Sequence, residues 1–277
     1  MQSNEAQQDS HVDTSRLLKD VARLQTNRSF RDRRRAFFVE GVRNFVQALD
    51  QGFVVEQVIY SEKLLIVPIA RKLVRRCRRA GVSTLCLSPE AFRAISKTKT
   101  ASGIAAIFQQ RWGRLGSITP GRHLFWTLVE TVRSPGNLGT LIRSSAAAGG
   151  GGFVFVGKTI DPYAPTVIRA AMGAVYKQEF VRSDWREVKD WMAHTECEAI
   201  GAEPSGDVPM HAVNYPSGIP LLVLGDERKG LTEQQAALCR KLVHIPMQDG
   251  CDSLNLGVAG SLLMYEIYRG YKPDRTG

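Results

Sequence analysis

Leu221-Leu222-Val223-Leu224-Gly225-Asp226-Glu227-Arg228-Lys229-Gly230-Leu231 is an apolar run that stops at a polar turn bounded by glycines. Four consecutive apolar residues without alternation suit a strand buried on both faces of a parallel sheet. Thr232 with Gln235 forms a capping box for a helix predicted to run to about Lys241. Leu242-Val243-His244-Ile245, ended by Pro246, predicts another buried strand, with His244 a satisfied core histidine. After Ser253-Leu254-Asn255, an apolar helix is predicted from Leu256 to about Arg269. Gly257 and Gly260 fall in its interior, where a glycine costs up to about 1 kcal/mol. With Ala259 and Ser261 they predict the close approach of another backbone.

This succession describes a ligand site, but an ordinary strand-helix-strand core whose glycines merely turn the chain fits the spacing equally well. Nucleotide motifs fail. Gly225 and Gly230 have P-loop spacing, yet Leu231 stands where a phosphate-binding Lys is required. The run Gly149 to Gly152 lacks a third glycine in dinucleotide register.

Three blocks in order separate the alternatives. Pro135-Gly136-Asn137-Leu138-Gly139-Thr140-Leu141-Ile142-Arg143 through Gly149 resembles motif one of the SpoU (TrmH-like) branch of the SPOUT RNA methyltransferases. Gly225 to Leu231 with Ile245-Pro246-Met247, and Ser253-Leu254-Asn255-Leu256-Gly257-Val258-Ala259, are similar to motifs two and three. The resemblance is close from roughly Arg122 to Tyr271. It implies an α/β fold with a C-terminal SPOUT domain that carries a trefoil knot, and Phe37-Phe38-Val39-Glu40-Gly41-Val42-Arg43 with Ser102-Gly103-Ile104-Ala105-Ala106-Ile107 resembles, more loosely, the small N-terminal α/β domain, similar to ribosomal protein L30e, that many such enzymes carry.

The rest of the chain is consistent with that division. A length of 277 residues makes two domains the prior, and 43% hydrophobic residues suffice for two cores. Residues 1–14 are polar and expected to be a disordered tail. Residues 15–108 are expected to form the RNA substrate-binding domain, 109–121 a linker and 122–277 the methyltransferase domain. In the first of these, Ser15 to Asn27 and Val42 to Leu49 have helical spacing, and Val54 to Tyr60 and Val82 to Leu87 read as strands. In the second, strands are predicted at Leu124 to Val129, Phe153 to Val156 and Glu198 to Ala202, with helices after Pro135 and from Pro165 to Met172. Such β-α alternation predicts a mainly parallel sheet.

No apolar run reaches the roughly 18 residues needed to span a bilayer, so no membrane partner is expected and the cytoplasm is the expected compartment. Cys77, Cys86, Cys197, Cys239 and Cys251 form no CxxC pair, and the five histidines are scattered, so no metal site is expected. A net charge of +10 points to a polyanionic partner. Two basic clusters concentrate it: Arg31, Arg33, Arg34 and Arg35, and a predicted helix bearing Arg71, Lys72, Arg75, Arg76, Arg78 and Arg79. Both are candidate phosphate contacts, with Arg31, Arg33, Arg34, Arg35, Arg75 and Arg79 the named ones; a solvated face is the plain alternative.

What the resemblance implies chemically is methyl transfer from S-adenosylmethionine to a ribose 2'-hydroxyl in RNA, 23S ribosomal RNA before transfer RNA, by a homodimer. Leu224, Gly225, Ile245 and Leu254 would line the cofactor pocket. Asn137, Glu227, Ser253 and Asn255 would hold the active-site geometry, with Arg143 nearest the acceptor hydroxyl. A guanidinium stays protonated at any physiological pH, so Arg143 acts as a base only with help from RNA phosphate; electrostatic stabilisation is the alternative. Thr131 to Ser134 and Leu256-Gly257 depart from the commoner family residues. A non-catalytic RNA-binding protein on the same fold is the rival reading, and its mark would be loss of Asn137, Arg143 or Asn255; all three are present.

Overall fold

In the computed structural model the described residues are 2–213, 218–250 and 253–271, with only the backbone described for residues 2–13; Met1 and Cys251 lie outside them. The chain divides into two compact units, Met1–Gln110 with Tyr163–Pro165, and Arg111–Pro162 with Thr166–Gly277.

The first unit contains, in chain order, α1 (Gln2–Thr26), α2 (Arg28–Arg34), β1 (Ala36–Glu40), α3 (Val42–Asp50), β2 (Val55–Tyr60), α4 (Pro68–Arg79), β3 (Ser83–Cys86), α5 (Pro89–Ile95) and β4 (Ile104–Gln109). Its sheet runs β1-β4-β2-β3; β4 is antiparallel to both neighbours and β2 and β3 are parallel. Val21 and Leu24 of α1 join Phe38, Ile59, Phe92 and Ile107 in its core. The expected disordered tail is instead helical backbone, since α1 begins at Gln2. Gln, Glu and Ala are adequate helix formers, and extending a helix already anchored by packed residues avoids the cost of nucleation.

The second unit contains β5 (Trp126–Val129), α6 (Pro135–Ala147), β6 (Gly152–Val156), α7 (Pro165–Ala171, all but its first residue), β7 (Glu179–Ser183), α8 (Trp185–Ala193), β8 (Cys197–Ala202), β9 (Val208–Pro209), β10 (Ile219–Leu224), α9 (Glu233–Leu238), β11 (Cys239–His244) and α10 (Leu256–Gly270). Its seven strands run β7-β6-β5-β10-β8-β11-β9, every pairing parallel. All six residues of β10 are buried, as a continuous apolar run in the middle of a parallel sheet should be.

Two boundaries differ from the sequence expectation. The stretch 109–121 is no free linker. Gln109 completes β4, whereas Gly113 bridges to Val181, Arg182 lies 3.9 Å over the Trp112 ring and Ile118 is buried in the second core. Its apolar residues are too irregularly spaced to register as periodic. Similarly, α9 keeps the predicted capping box but stops at Leu238, because Cys239 turns to extended backbone and pairs with Ala199 of β8. A ladder partner outweighs local helix propensity there. The ring of His244 is satisfied by the Gly206 carbonyl at 2.7 Å.

The small residues of α10 are met within the chain, by side chains rather than by another backbone. A Cβ on Gly260 would lie 2.3 Å from Leu141 Cδ2 of α6 and 2.9 Å from Leu224 Cδ1 of β10. At the next residue of α10, the hydroxyls of Ser144 and Ser261 meet at 2.7 Å.

Candidate active site

β8, β10 and β11 end together at Ala202, Leu224 and His244, and the loops that follow them enclose a cavity of about 330 Å³. Carboxyl ends of parallel strands are where open α/β sheets bind ligands. Leu224, Ile245 and Leu254 supply apolar wall, and Leu256, Ala259 and Leu263 of α10 close the cavity from the side. Glu203, Glu227 and Ser253 bring polar groups to it.

The loop after β10 is held tightly. Asp226 and Gly230 exchange two backbone hydrogen bonds, at 2.9 and 3.0 Å. Gly230 has φ +68°, and a Cβ on Gly225 would fall 2.2 Å from the Gly230 carbonyl carbon. Both glycines are therefore demanded by the turn. Asp226 Oδ1 accepts from the backbone N–H groups of Arg228 (2.9 Å) and Lys229 (3.2 Å), and Oδ2 accepts from Arg133 Nε at 2.8 Å. The Arg228 amide first, and then Arg133, hold this carboxyl below its ordinary range.

Glu227 ties this loop to α6. Its carboxylate accepts from the backbone N–H of Arg133 at 3.0 Å, from that of Ser134 at 3.3 Å and from Asn137 Nδ2 at 3.3 Å. Ser134 is the N-cap of α6, so a negative charge sits where unpaired amides and the helix dipole favour one. Asn255 is likewise an N-cap: its Oδ1 accepts from Gly257 N at 2.9 Å and Val258 N at 3.4 Å. This fixes the start of α10 directly beside Leu254.

The structure thus gathers Leu224, Gly225, Glu227, Ile245, Ser253 and Leu254 around one cavity. Asn137 joins through Glu227 and Asn255 through the α10 cap. Arg143 does not line the cavity. It is exposed on α6, and its Nη1 donates to Met172 Sδ at 3.2 Å; Met172 itself has φ +50°, a strained conformation for a non-glycine residue. Sequence reasoning missed Glu203, which follows β8 directly and whose Oε2 accepts from Leu231 N at 3.4 Å. Its place just beyond a parallel strand was the available signal.

The first unit sorts the basic residues. Arg33, Arg34 and Arg35 at the end of α2 are exposed, as are Arg75 and Arg79 on α4, although Arg34 also pairs with Glu56 at 3.2 Å. Arg31 is a correction. It is only 5% exposed, and its Nη1 donates to the Leu24 carbonyl in the last turn of α1 at 2.6 Å. It closes a helix C-terminus and is not available to phosphate.

Comparison with known proteins bears on both units. Residues 16–106 match the MRM3-like substrate binding domain. A 23S rRNA (uridine(2479)-2'-O)-methyltransferase of Streptomyces viridochromogenes is 28% identical, covering 91% of this chain and 89% of that protein. The 23S rRNA (guanosine(2553)-2'-O)-methyltransferase RlmP of Bacillus subtilis is 26% identical, over 90% of this chain and 95% of that protein. The crystal structure of an AdoMet-bound rRNA methyltransferase from Sinorhizobium meliloti superposes with a TM-score of 0.85 at 28% identity, covering 94% of this chain and 97% of that one. The cavity, its loops and α6 all fall within residues 125–265, which match the model of the SpoU rRNA Methylase family, and the chain belongs to that family.

Proposed function

We propose that this protein transfers the methyl group of S-adenosylmethionine to a ribose 2'-hydroxyl of ribosomal RNA, 23S rRNA in particular. The observation that carries the reading is the cavity at the strand ends. It has an apolar wall of Leu224, Ile245 and Leu254 for a flat base, backbone of the 225–230 loop for polar edges, and the carboxylates of Glu203 and Glu227 where a cation would be held. That donor set fits S-adenosylmethionine, which when bound supplies a methyl group already activated on a sulfonium. The protein has to align the acceptor and manage its proton.

Glu227, Asn137 and Ser134 fix the orientation of α6 against the cavity loop, and α6 carries Arg143. With its proton retained, the Arg143 guanidinium donates hydrogen bonds to the acceptor phosphate and to negative charge developing on the 2'-oxygen, and the hydroxyl proton leaves to solvent. Arg143→Ala should lower methyl transfer to rRNA at least a hundredfold while calorimetric affinity for S-adenosylmethionine stays within about threefold. Full turnover of this variant, or lost cofactor binding in a folded protein, would overturn the role.

A second copy of the chain belongs to this reading. The small residues of α10 are used against α6, but Val258, Leu262, Tyr265 and Tyr268 on the outer face are 40 to 49% exposed at helical spacing. This apolar stripe, together with an Arg143 outside the cavity of its own chain, supports a homodimer whose site draws on both subunits. Mixing inactive Arg143→Ala with inactive Asn255→Ala tests it, since restored activity requires a shared site; a fully active monomer by light scattering would remove the dimer. Arg33, Arg34, Arg35, Arg75 and Arg79 are the RNA contacts of this reading. The trefoil knot implied by the resemblance belongs to this reading. The cytoplasm remains the proposed compartment, testable by cell fractionation.

A further inference from the structure

A second cavity, of about 650 Å³, lies in the N-terminal unit between the end of β2 and α4. α4 carries six basic residues and no acidic one, and its buried side is Ala70, Leu73, Val74 and Cys77. The helix repeat splits the cations into two rows. Arg71, Arg75 and Arg78 line the cavity, whereas Lys72, Arg76 and Arg79 do not.

The three lining guanidiniums are arranged for a ligand. Arg71 Nε donates to the Leu65 carbonyl and Arg78 Nη2 to the Tyr60 hydroxyl, and Arg78 Nε reaches Thr84 Oγ1 at 3.3 Å. These two are held in place with N–H groups to spare. Arg75, between them, has no hydrogen-bond or ion-pair partner among the described residues, and the one carboxylate at the cavity, Glu62, is not ion-paired there either. Three positive charges thus converge against a single negative one. The apolar lining is Pro68, exposed at the start of α4, with Leu65 and Val74 buried behind it. Beside it Ile66 and Ile69 are 74% and 56% exposed.

A duplex presents phosphates on a convex backbone and keeps its bases stacked inside, so it would engage the cations but not the apolar wall. A nucleotide splayed out of a single strand presents anion and flat apolar face together. We propose that this cavity receives one unpaired nucleotide of the substrate RNA, its phosphodiester held by Arg71, Arg75 and Arg78 and its nucleoside lying against Pro68. The proposal rests on the reading of this protein as an RNA methyltransferase and names the RNA feature its first unit grips.

The test uses the full chain and fluorescence anisotropy with three probes: a mixed-sequence single-stranded ribo-oligonucleotide of about ten residues, a duplex of equal length, and the same strand without bases. The wild type should bind the single strand at least fivefold more tightly than the duplex or the abasic strand. Arg75→Ala should weaken single-strand binding about tenfold and lower the salt slope by about 0.7, one phosphate contact on a single strand. Arg76→Ala, an equal charge change in the other row, should alter it less than twofold. Because Arg75 has no intramolecular partner, its loss leaves the fold intact, which equal melting curves will verify. Equal effects of Arg75→Ala and Arg76→Ala, or equal binding of the abasic strand, would overturn the pocket. Methyl transfer to rRNA by the wild type is measured alongside: if it is absent the enzymatic reading fails, and if it is present with equal arginine effects only the pocket fails.

Discussion

Gly260→Ala should destabilise the second unit although alanine is the better helix former. The substitution gains about 1 kcal/mol of helix propensity in a helix interior. Against this, its Cβ would stand 2.3 Å from Leu141 Cδ2 and 2.9 Å from Leu224 Cδ1, the first far inside any real carbon–carbon contact. Leu141 and Leu224 are 0% and 1% exposed, so neither can swing into solvent to make room. Overpacking of this kind costs about 1 to 3 kcal/mol, and a clash this close belongs in the upper half of that range. The net is a loss of about 1 to 2 kcal/mol. Gly257→Ala on the same helix is the control, because there the new Cβ would meet Thr140 Cβ at 3.3 Å and Asn255 Oδ1 at 3.2 Å, tight but tolerable. Its clash and propensity terms roughly cancel.

Urea unfolding followed by tryptophan fluorescence reads the difference cleanly, since Trp112, Trp126, Trp185 and Trp191 all belong to the second unit. With a slope of about 2 kcal/mol per M, Gly260→Ala should lower the midpoint by about 0.5 to 1 M, and Gly257→Ala should stay within about 0.25 M of wild type. Equal midpoints for the two variants, or a Gly260→Ala protein more stable than wild type, would refute the argument that α10 is seated on α6 and β10 through this glycine.

Glu227→Gln keeps the shape but removes the charge at the start of α6, so it should cost about 1 kcal/mol in the same unfolding experiment, and Glu227→Ala should cost more; no loss in either would mean the loop does not hold the helix. Asp226 has a folded-state carboxyl held below its ordinary value, so its contribution is fully present above about pH 4 and disappears as pH falls through the lower folded value. The wild-type urea midpoint should therefore drop more steeply than that of Asp226→Asn between pH 4.5 and pH 2.5, and parallel curves would count against the Arg228 and Arg133 contacts. Burial pushes the thiols of Cys197 and Cys239 up to about 12, whereas Cys86 is exposed. Iodoacetamide on the native protein should label Cys86 and spare the other two until urea is added, as peptide mass spectrometry will show.

The sheet was legible in the sequence where burial on both faces made continuous apolar runs, as in β10 and β6. It was not legible at the edges. β7, Glu179–Ser183, mixes Glu and Arg into a short strand, and β9 is two residues long, so neither carries enough pattern to stand out. The helix α8 went unread although Asp184 caps it, accepting from Glu187 N at 2.9 Å, a local signal that was available. Arg31 shows what no local pattern can supply. Its neighbours in the arginine run are exposed, and only the position of the Leu24 carbonyl decides that this one turns inward. Likewise the two rows of α4 are written in its helical spacing, but which row meets a cavity depends on β2 lying beside it.

The same distinction explains the site. Motif residues that touch the cavity through backbone and small side chains could be placed by resemblance, because turn geometry constrains their identity. Arg143 could be named but not located. Its position is set by three anchors of α6 that are distant in sequence: Glu227 at the first turn, Gly260 against Leu141 in the middle, and Ser261 against Ser144, the residue next to Arg143. The first anchor belongs to the loop that lines the cavity and the other two to the helix that walls it. A shift of either element is therefore carried along α6 to the guanidinium. It follows that substitutions at Ser144 or Ser261, which touch neither cavity nor acceptor, should alter the rate of methyl transfer before they alter cofactor affinity.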